Sequence, residues 1–395
     1  MHLVWGAELS PFVLKVEALL RAAGLPFRRL PRDGTRGENL RAMLRVERAK
    51  RRREVVRYPE TSPLDEYPLV PFLITPDDTV MYDSSALAAW LDDQHPAAAG
   101  PFIPAEPVAR FVCRLIDEAF DEFGLYMVHH NRWKLAARDN DHPGARLARE
   151  YARHFPPATG ALAARWFARR QVGRLPYLFS VAPAGYAEPG LPPALTPPAR
   201  AGFPPTHALL ESAWERYLGA CEGILGSQSY LLGDRFTLAD ASAYGQLSMN
   251  LTDPASARRL RELAPRTYEW LYAIRDERCP PATSATVIPT SALGPLLDVI
   301  FDTFVPLMRQ NEAAYQTAER AGVTLFNERA FDRACSLYDG ELLGHPFRAV
   351  IKTFQVRVWR DLRADWQALD RDTRGRIAAL TSHGDLDALF SRADP

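Results

Sequence analysis

The 395-residue sequence is poor in the features that mark several functional classes. Its four cysteines, Cys113, Cys221, Cys279 and Cys335, lie far apart, form no CxxC pair and have no His at zinc-site spacing, which argues against a disulfide scaffold or a structural zinc. It carries no net charge, with 48 Lys and Arg against 48 Asp and Glu, so no whole-molecule field draws in nucleic acid or an anionic membrane. No apolar run approaches the ~18 residues that span a bilayer, and Met1 to Leu9 lacks the cationic start and apolar stretch of a signal peptide. The expectation is a soluble, cytoplasmic protein with neither nucleic acid nor membrane as partner. A Gly-rich phosphate loop, a His-Glu-x-x-His helix and a Gly-x-Ser-x-Gly elbow are also missing.

What remains is an ordinary globular composition, 47% hydrophobic and 24% charged, in a chain long enough for at least two cores. His2 to Trp5 reads as a strand ending at Gly6. Ser10-Pro11 opens a helix, with Ser as capping acceptor and Pro where a missing N–H costs nothing, and Gly24 stops it. Leu25 to Leu30 is a second strand. A basic stretch, Arg41 to Arg57, follows and is expected as a solvated helix, with a local anion site near Arg45 to Arg57 left open. Pro71 to Thr75 and Thr79 to Tyr82 flank a Pro-Asp turn as a hairpin, and Asp83-Ser84-Ser85 caps an apolar helix. The first 100 residues therefore read as one small α/β domain.

Beyond Pro104 the periodicity turns helical: Val108 to Leu135, Arg146 to Arg170, Thr206 to Leu225 and Pro265 to Arg275. The proline-rich stretch Gly173 to Pro205 excludes a long helix. Thr237-Leu238-Ala239-Asp240 has the form of a capping box before an Ala-rich helix. Helical patterns continue at Leu293 to Ala321, Glu328 to Tyr338, Pro346 to Leu369 and Arg374 to Leu380.

Five of these pieces occur in one family's order. They are the run Ser10 to Val16, Gly24 to Phe27, Val70 to Leu73, Asp83-Ser84, and Gly233 to Asp240, and together they resemble a cytosolic-type glutathione S-transferase. The resemblance covers Met1 to about Cys279 and is closest to long, bacterial-like members with a C-terminal helical extension. It implies an α/β thioredoxin-like glutathione-binding domain (residues 1–100), an all-α transferase domain (105–285), and an extra helical tail (290–395) packed on or continuing the second domain. A homodimer is likewise implied. The basic insertion departs from the family pattern where the glycine end of glutathione is usually held, so those contacts stay unassigned.

Glutathione must present its thiol as a thiolate, and a free thiol of pKa ~8.5 is mostly protonated at neutral pH. A helix N-terminus supplies free N–H groups and a positive dipole end, and a hydroxyl there can donate to sulfur. The resemblance gives Ser10 that role, and Ser in place of Cys disfavours disulfide exchange. It places Ser10, Phe12, Val70, Pro71, Asp83 and Ser84 in the glutathione site. A cis bond at Val70-Pro71 turns the Val70 backbone toward the cysteinyl unit, Ser84 holds the γ-glutamyl carboxylate, and Asp83 lies near the ligand's ammonium. Tyr126, His129, His130 and Trp133 are the candidates for a hydrophobic electrophile pocket. The implied activity is attack of the thiolate on a hydrophobic small-molecule electrophile, by conjugation, ether cleavage, dehalogenation or isomerisation, with glutathione as co-substrate and no metal. The alternative is a non-catalytic binding or scaffolding protein on the same fold. A thiol-disulfide reductase ranks last, because no Cys stands near the start of the first helix.

Overall fold

A computed structural model of the chain describes residues 1–58, 61–66, 69–135, 137, 143–152, 159–278 and 287–391. Cys279 and the middle of the expected Arg146 to Arg170 helix lie outside them. The N-terminal domain runs β1 (His2–Trp5), α1 (Pro11–Ala22), β2 (Phe27–Leu30), α2 (Arg36–Arg52), β3 (Val56–Arg57), β4 (Phe72–Ile74), β5 (Val80–Tyr82) and α3 (Ser84–Gln94). Its strands form one sheet in the order β2-β1-β4-β5-β3, with β1/β2 and β3/β5 parallel and the two central pairings antiparallel.

Alternation along the strands feeds two cores. Val4, Leu73 and Met81 share a cluster with Val13, Val16, Leu19 and Leu20 of α1 and Leu87 and Leu91 of α3. Trp5, Phe72, Ile74, Val80 and Tyr82 pack with Ala42, Val46 and Ala49 of α2. Gly24 stands at φ +67°, where a side chain would be strained, and so ends α1 as expected. The basic stretch is helical only as far as Arg52; Arg53 turns left-handed at φ 58° and Val56–Arg57 forms β3 instead. The start of α2 is a reciprocal cap in which Thr35 Oγ1 accepts the Glu38 N–H at 3.3 Å and Glu38 Oε2 accepts the Thr35 N–H at 2.7 Å.

The helical domain follows with α4 (Pro107–Ala119), which runs through a π-helical turn, Phe120–Gly124, into α5 (Leu125–Lys134). Next come α6 (Pro143–Glu150), α7 (Gly160–Gly173), α8 (His207–Ile224), α9 (Leu238–Leu247), α10 (Pro254–Leu263) and α11 (Pro265–Arg275). All ten residues of α9 are buried. Its start is fixed by Asp240, whose carboxylate accepts the Thr237 N–H and hydroxyl and the Leu231 N–H. Helix α9 packs directly on α1. A Cβ at Gly245 would stand 2.6 Å from the Pro11 carbonyl oxygen and 2.9 Å from Lys15 Cβ, so glycine there permits the close approach.

The tail holds α12 (Gly294–Asp302), α13 (Phe304–Arg320), α14 (Asn327–Asp332), β6 (Leu337–Leu342), β7 (His345–Val350), α15 (Thr353–Ala368), α16 (Arg371–Ala378) and α17 (Leu386–Leu389). Two expectations are corrected here. The patterns at Glu328 to Tyr338 and Pro346 to Leu369 are not continuous helices, because β6 and β7 pair antiparallel across a tight turn in which Leu343 and Gly344 both have positive φ. By length and composition, Ser291–Arg320 meets the criterion for a membrane-spanning helix that no apolar run was expected to meet. It is interrupted at Thr303, and Leu296, Leu297, Ile300, Phe304 and Met308 lie in the core. That core is shared with the rest of the chain. Phe390 stacks on Trp366 and Trp359 and meets Phe111 of α4 edge-on at 5.3 Å.

Candidate functional site

The sheet register gathers three chain segments at one end of the inner strands. Trp5 pairs with Phe72, and Leu73 with Met81, so the ends of β1 and β5 and the start of β4 coincide. Ser10 follows the first, Val70-Pro71 precedes the third, and Asp83-Ser84 follows the second. A Cβ built on Gly6 would lie 3.6 Å from Val70 Cβ, which places the loop after β1 against Val70.

Ser10 is the residue before α1 in extended conformation (φ −101°, ψ 120°), and its hydroxyl makes no capping bond. The expected capping acceptor is therefore unspent. No acidic side chain stands in the first turn of α1 to neutralise its positive end. Phe12, at the second helical position, has no helical acceptor for its N–H. The loop beneath is held from the helical domain. Arg132 on α5 donates to the Leu9 carbonyl at 3.1 Å, while its other donors go to Asp253, the Met249 carbonyl and Thr252. Glu150 accepts the Glu8 N–H with both carboxylate oxygens at 3.0 Å.

The Val70-Pro71 bond is cis. Val70 is 39% exposed, and no backbone hydrogen bond among the described residues engages its N–H or carbonyl. Ser84 is the first residue of α3, and among the described residues its hydroxyl takes part in no hydrogen bond. Asp83 caps that helix, its Oδ1 accepting the Ser85 and Ala86 N–H groups at 3.2 and 3.1 Å. Its Oδ2 accepts Arg57 Nε at 2.7 Å and Arg357 Nη2 at 3.3 Å. Burial raises the Asp83 pKa, but Arg357 and Arg57 outweigh burial and hold it below the ordinary value. With all four contacts in place, Asp83 shapes the site instead of standing free for the ligand's ammonium.

Behind the sheet end lies a buried ionic knot. Lys15 Nζ reaches Asp117 and Asp121, each at 2.6 Å, and Ser85 Oγ at 2.8 Å, tying α1 and α3 to the α4–α5 helix. Burial pulls the Lys15 pKa down, and the two carboxylates more than reverse it. The π-turn directs Asp121 to Lys15 and leaves Glu122 facing the tail, where Gln355 Nε2 donates to it at 3.0 Å.

Of the expected electrophile-pocket residues only His129 and Trp133 are ring neighbours, and Tyr126 and His130 engage other partners. The Tyr126 hydroxyl is held by Lys352 at 2.5 Å and Gln355 at 2.8 Å, both from the tail, and its ring stacks on Phe179. His130 turns inward to Ser180 at 2.8 Å and to the His207 ring. Trp133 belongs to a separate cluster with Ala168, Val172 and Leu175, and His129 tilts against it at 6.3 Å between centroids. Burial depresses both histidines to about 3, so neither carries a proton near neutral pH. The four stand at i, i+3, i+4 and i+7 along one stripe of α5, and it is the neighbours packed on that stripe that differ: the tail at Tyr126, Ser180 and His207 at His130, and Ala168, Val172 and Leu175 at Trp133.

Arg57, Asp65 and Arg357 were not among the site residues read from sequence. Arg57 lay in the basic stretch noted for anions, and the parallel pairing of Arg57 with Tyr82 carries it to Asp83.

Two family models match the chain. Residues 9–94 fit the glutathione S-transferase N-terminal domain and residues 183–271 the glutathione S-transferase C-terminal domain. The chain carries both domains of the glutathione S-transferase family. No curated protein matches the sequence. Among solved structures, a glutathione S-transferase from Rhodospirillum rubrum F11 is 18% identical, covers 73% of this chain and 96% of its own, and has a TM-score of 0.36. One from Ceriporiopsis subvermispora, in complex with glutathione, is 16% identical over 71% of this chain and 98% of its own, with a TM-score of 0.42. In the glutathione S-transferase N-terminal domain, Ser10, Phe12, Val70, Pro71, Asp83 and Ser84 all fall inside the matched residues. Among the described residues no group of three or more His, Cys, Asp or Glu is arranged to hold a metal.

Proposed function

We propose that the protein is a glutathione-dependent transferase that binds the tripeptide across this sheet end. One observation carries the reading: the Ser10 hydroxyl, the Val70 backbone and the Ser84 hydroxyl, on three segments meeting at one end of the sheet, all keep hydrogen-bonding capacity that no described residue uses. In this reading the Val70 N–H and carbonyl pair with the cysteinyl unit as an added strand would. Ser84 and the N-terminus of α3 receive the γ-glutamyl carboxylate. The sulfur lies at the N-terminus of α1, where the Ser10 hydroxyl and Phe12 N–H donate to it.

Hydrogen bonds to a charged group contribute about 1.5–3 kcal/mol each, and one pKa unit corresponds to about 1.4 kcal/mol. Two such donors therefore suffice to bring a thiol below neutral pH. The thiol proton leaves to solvent and the thiolate forms the new bond to an electrophilic carbon, by addition or with departure of a leaving group. The test is conjugation of glutathione to an activated aryl halide. Ser10→Ala is expected to lower kcat about 10²-fold at neutral pH, the scale for losing one preorganised donor, and to raise the apparent thiol pKa. Activity undiminished by Ser10→Ala removes Ser10 from this role.

A second reading, a non-catalytic glutathione-binding protein, is favoured by the tail's hold on Tyr126, which occupies the helical side facing the tail. Saturable glutathione binding without turnover of any electrophile would select it.

A further inference from the structure

The charged square around Asp83 joins parts of the chain that are far apart in sequence. Arg57 comes from β3, Asp65 from the segment before β4, Asp83 from the start of α3, and Arg357 from α15 in the tail. Arg357 Nε lies 2.5 Å from Asp65 Oδ1, its Nη1 3.3 Å from Asp361, and its Nη2 3.3 Å from Asp83. All four members of the square are largely buried, with side-chain exposures of 6–16%. Asp83 itself stands at φ +71°, ψ 108°, a conformation that a non-glycine residue keeps only when its surroundings impose it. Two backbone N–H groups and two guanidinium groups supply that constraint. By taking the Ser85 and Ala86 N–H groups, Asp83 leaves the Ser84 N–H and hydroxyl for a ligand.

We propose that Arg357 is a positioning residue of the glutathione site: it clamps Asp83 in this conformation, so the C-terminal tail is part of the machinery that presents Ser84 to the γ-glutamyl carboxylate. The proposal rests on the glutathione reading above. Without Arg357, Asp65 and Asp83 share the single guanidinium of Arg57, their mutual repulsion rises, and the strained Asp83 backbone is released.

The test titrates glutathione calorimetrically into the full-length wild type, Arg357→Gln and Arg357→Lys, with steady-state kinetics and thermal melting alongside. Arg357→Gln is expected to weaken glutathione binding at least tenfold and to raise KM for glutathione correspondingly. Its kcat at saturating glutathione should stay within twofold, because Ser10 and α1 are untouched. Arg357→Lys, which keeps the charge but not the fork, should fall between the two. Arg357→Gln that binds as tightly as wild type, or more tightly, overturns the proposal, as does a fall in kcat equal to the rise in KM. Should Arg357→Gln fail to fold, Arg357→Lys decides, and unaltered affinity in that variant overturns the proposal. Wild type that takes up no glutathione at millimolar concentration overturns the glutathione reading itself, and this proposal with it.

Discussion

The two surfaces that α1 joins treat their polar groups in opposite ways. At the sheet end, the Ser10 hydroxyl, the Val70 backbone and the Ser84 hydroxyl have no hydrogen-bond partner among the described residues. On the helical side, Lys15 is spent on Asp117 and Asp121, Arg132 on Asp253, Thr252 and two backbone carbonyls, and Tyr126 on Lys352 and Gln355. Burial leaves little choice on the helical side, since an unmatched polar group there costs about 1–3 kcal/mol. At the sheet end the same groups are tolerable only where water or a ligand completes them. The contrast separates residues that hold the fold from residues kept for binding, even where both lie within a few positions of each other in α1.

Breaking the helical side should produce the largest effect. Lys15→Met strands two buried carboxylates, and a loss of about 3–5 kcal/mol is the scale for removing one partner of a buried ion pair. Urea denaturation measures it, and a loss under 1 kcal/mol would show that the knot relaxes freely. Ser10→Ala should do the reverse of Lys15→Met: turnover falls, while stability changes by less than the ~1 kcal/mol that a lost N-cap costs.

Tyr126→Phe should then cost about 1–3 kcal/mol, because Lys352 and Gln355 lose their shared acceptor. Glutathione affinity should be unchanged, and a matching loss of affinity would place Tyr126 in the ligand site after all. The smallest expected effect is on pH dependence. Burial pushes the Glu122 carboxyl up to about 7, above its unfolded value, so the folded state binds the extra proton and stability falls as pH rises from about 4.5 through 7. Asp121, also raised to about 7 by burial, adds to the same slope. Glu122→Gln should make the fall in melting temperature between pH 5 and 7.5 shallower. A steeper fall would reverse the assignment.

Much of the sheet end was legible because its signals are local. Ser10-Pro11, Gly24, the Pro-Asp hairpin turn and the Thr237 to Asp240 cap are each set by backbone demands within a few residues. The β6–β7 hairpin was not, because its turn uses Leu343 at positive φ instead of the Asn or Asp that marks such turns. Nor could the sequence show Ser10 declining to cap its own helix, a matter of side-chain rotamer. The Asp83–Arg357 contact joins residues 274 positions apart, and charge pairs carry no spacing signal at that range. The partners of the electrophile-pocket candidates were hidden for a related reason. The four residues share one stripe over two turns of α5, and which part of that stripe meets the tail depends on a segment whose packing had no local mark.

The central claim is that the unspent groups at the sheet end bind glutathione. Its most direct test is a calorimetric titration of glutathione into wild type and into Val70→Asp/Ser84→Ala, with thermal melting as a check on the fold. Saturable binding by wild type at up to millimolar glutathione, weakened more than tenfold in a variant that melts like wild type, is the result expected. No heat from wild type, or equal binding by both proteins, would contradict the claim.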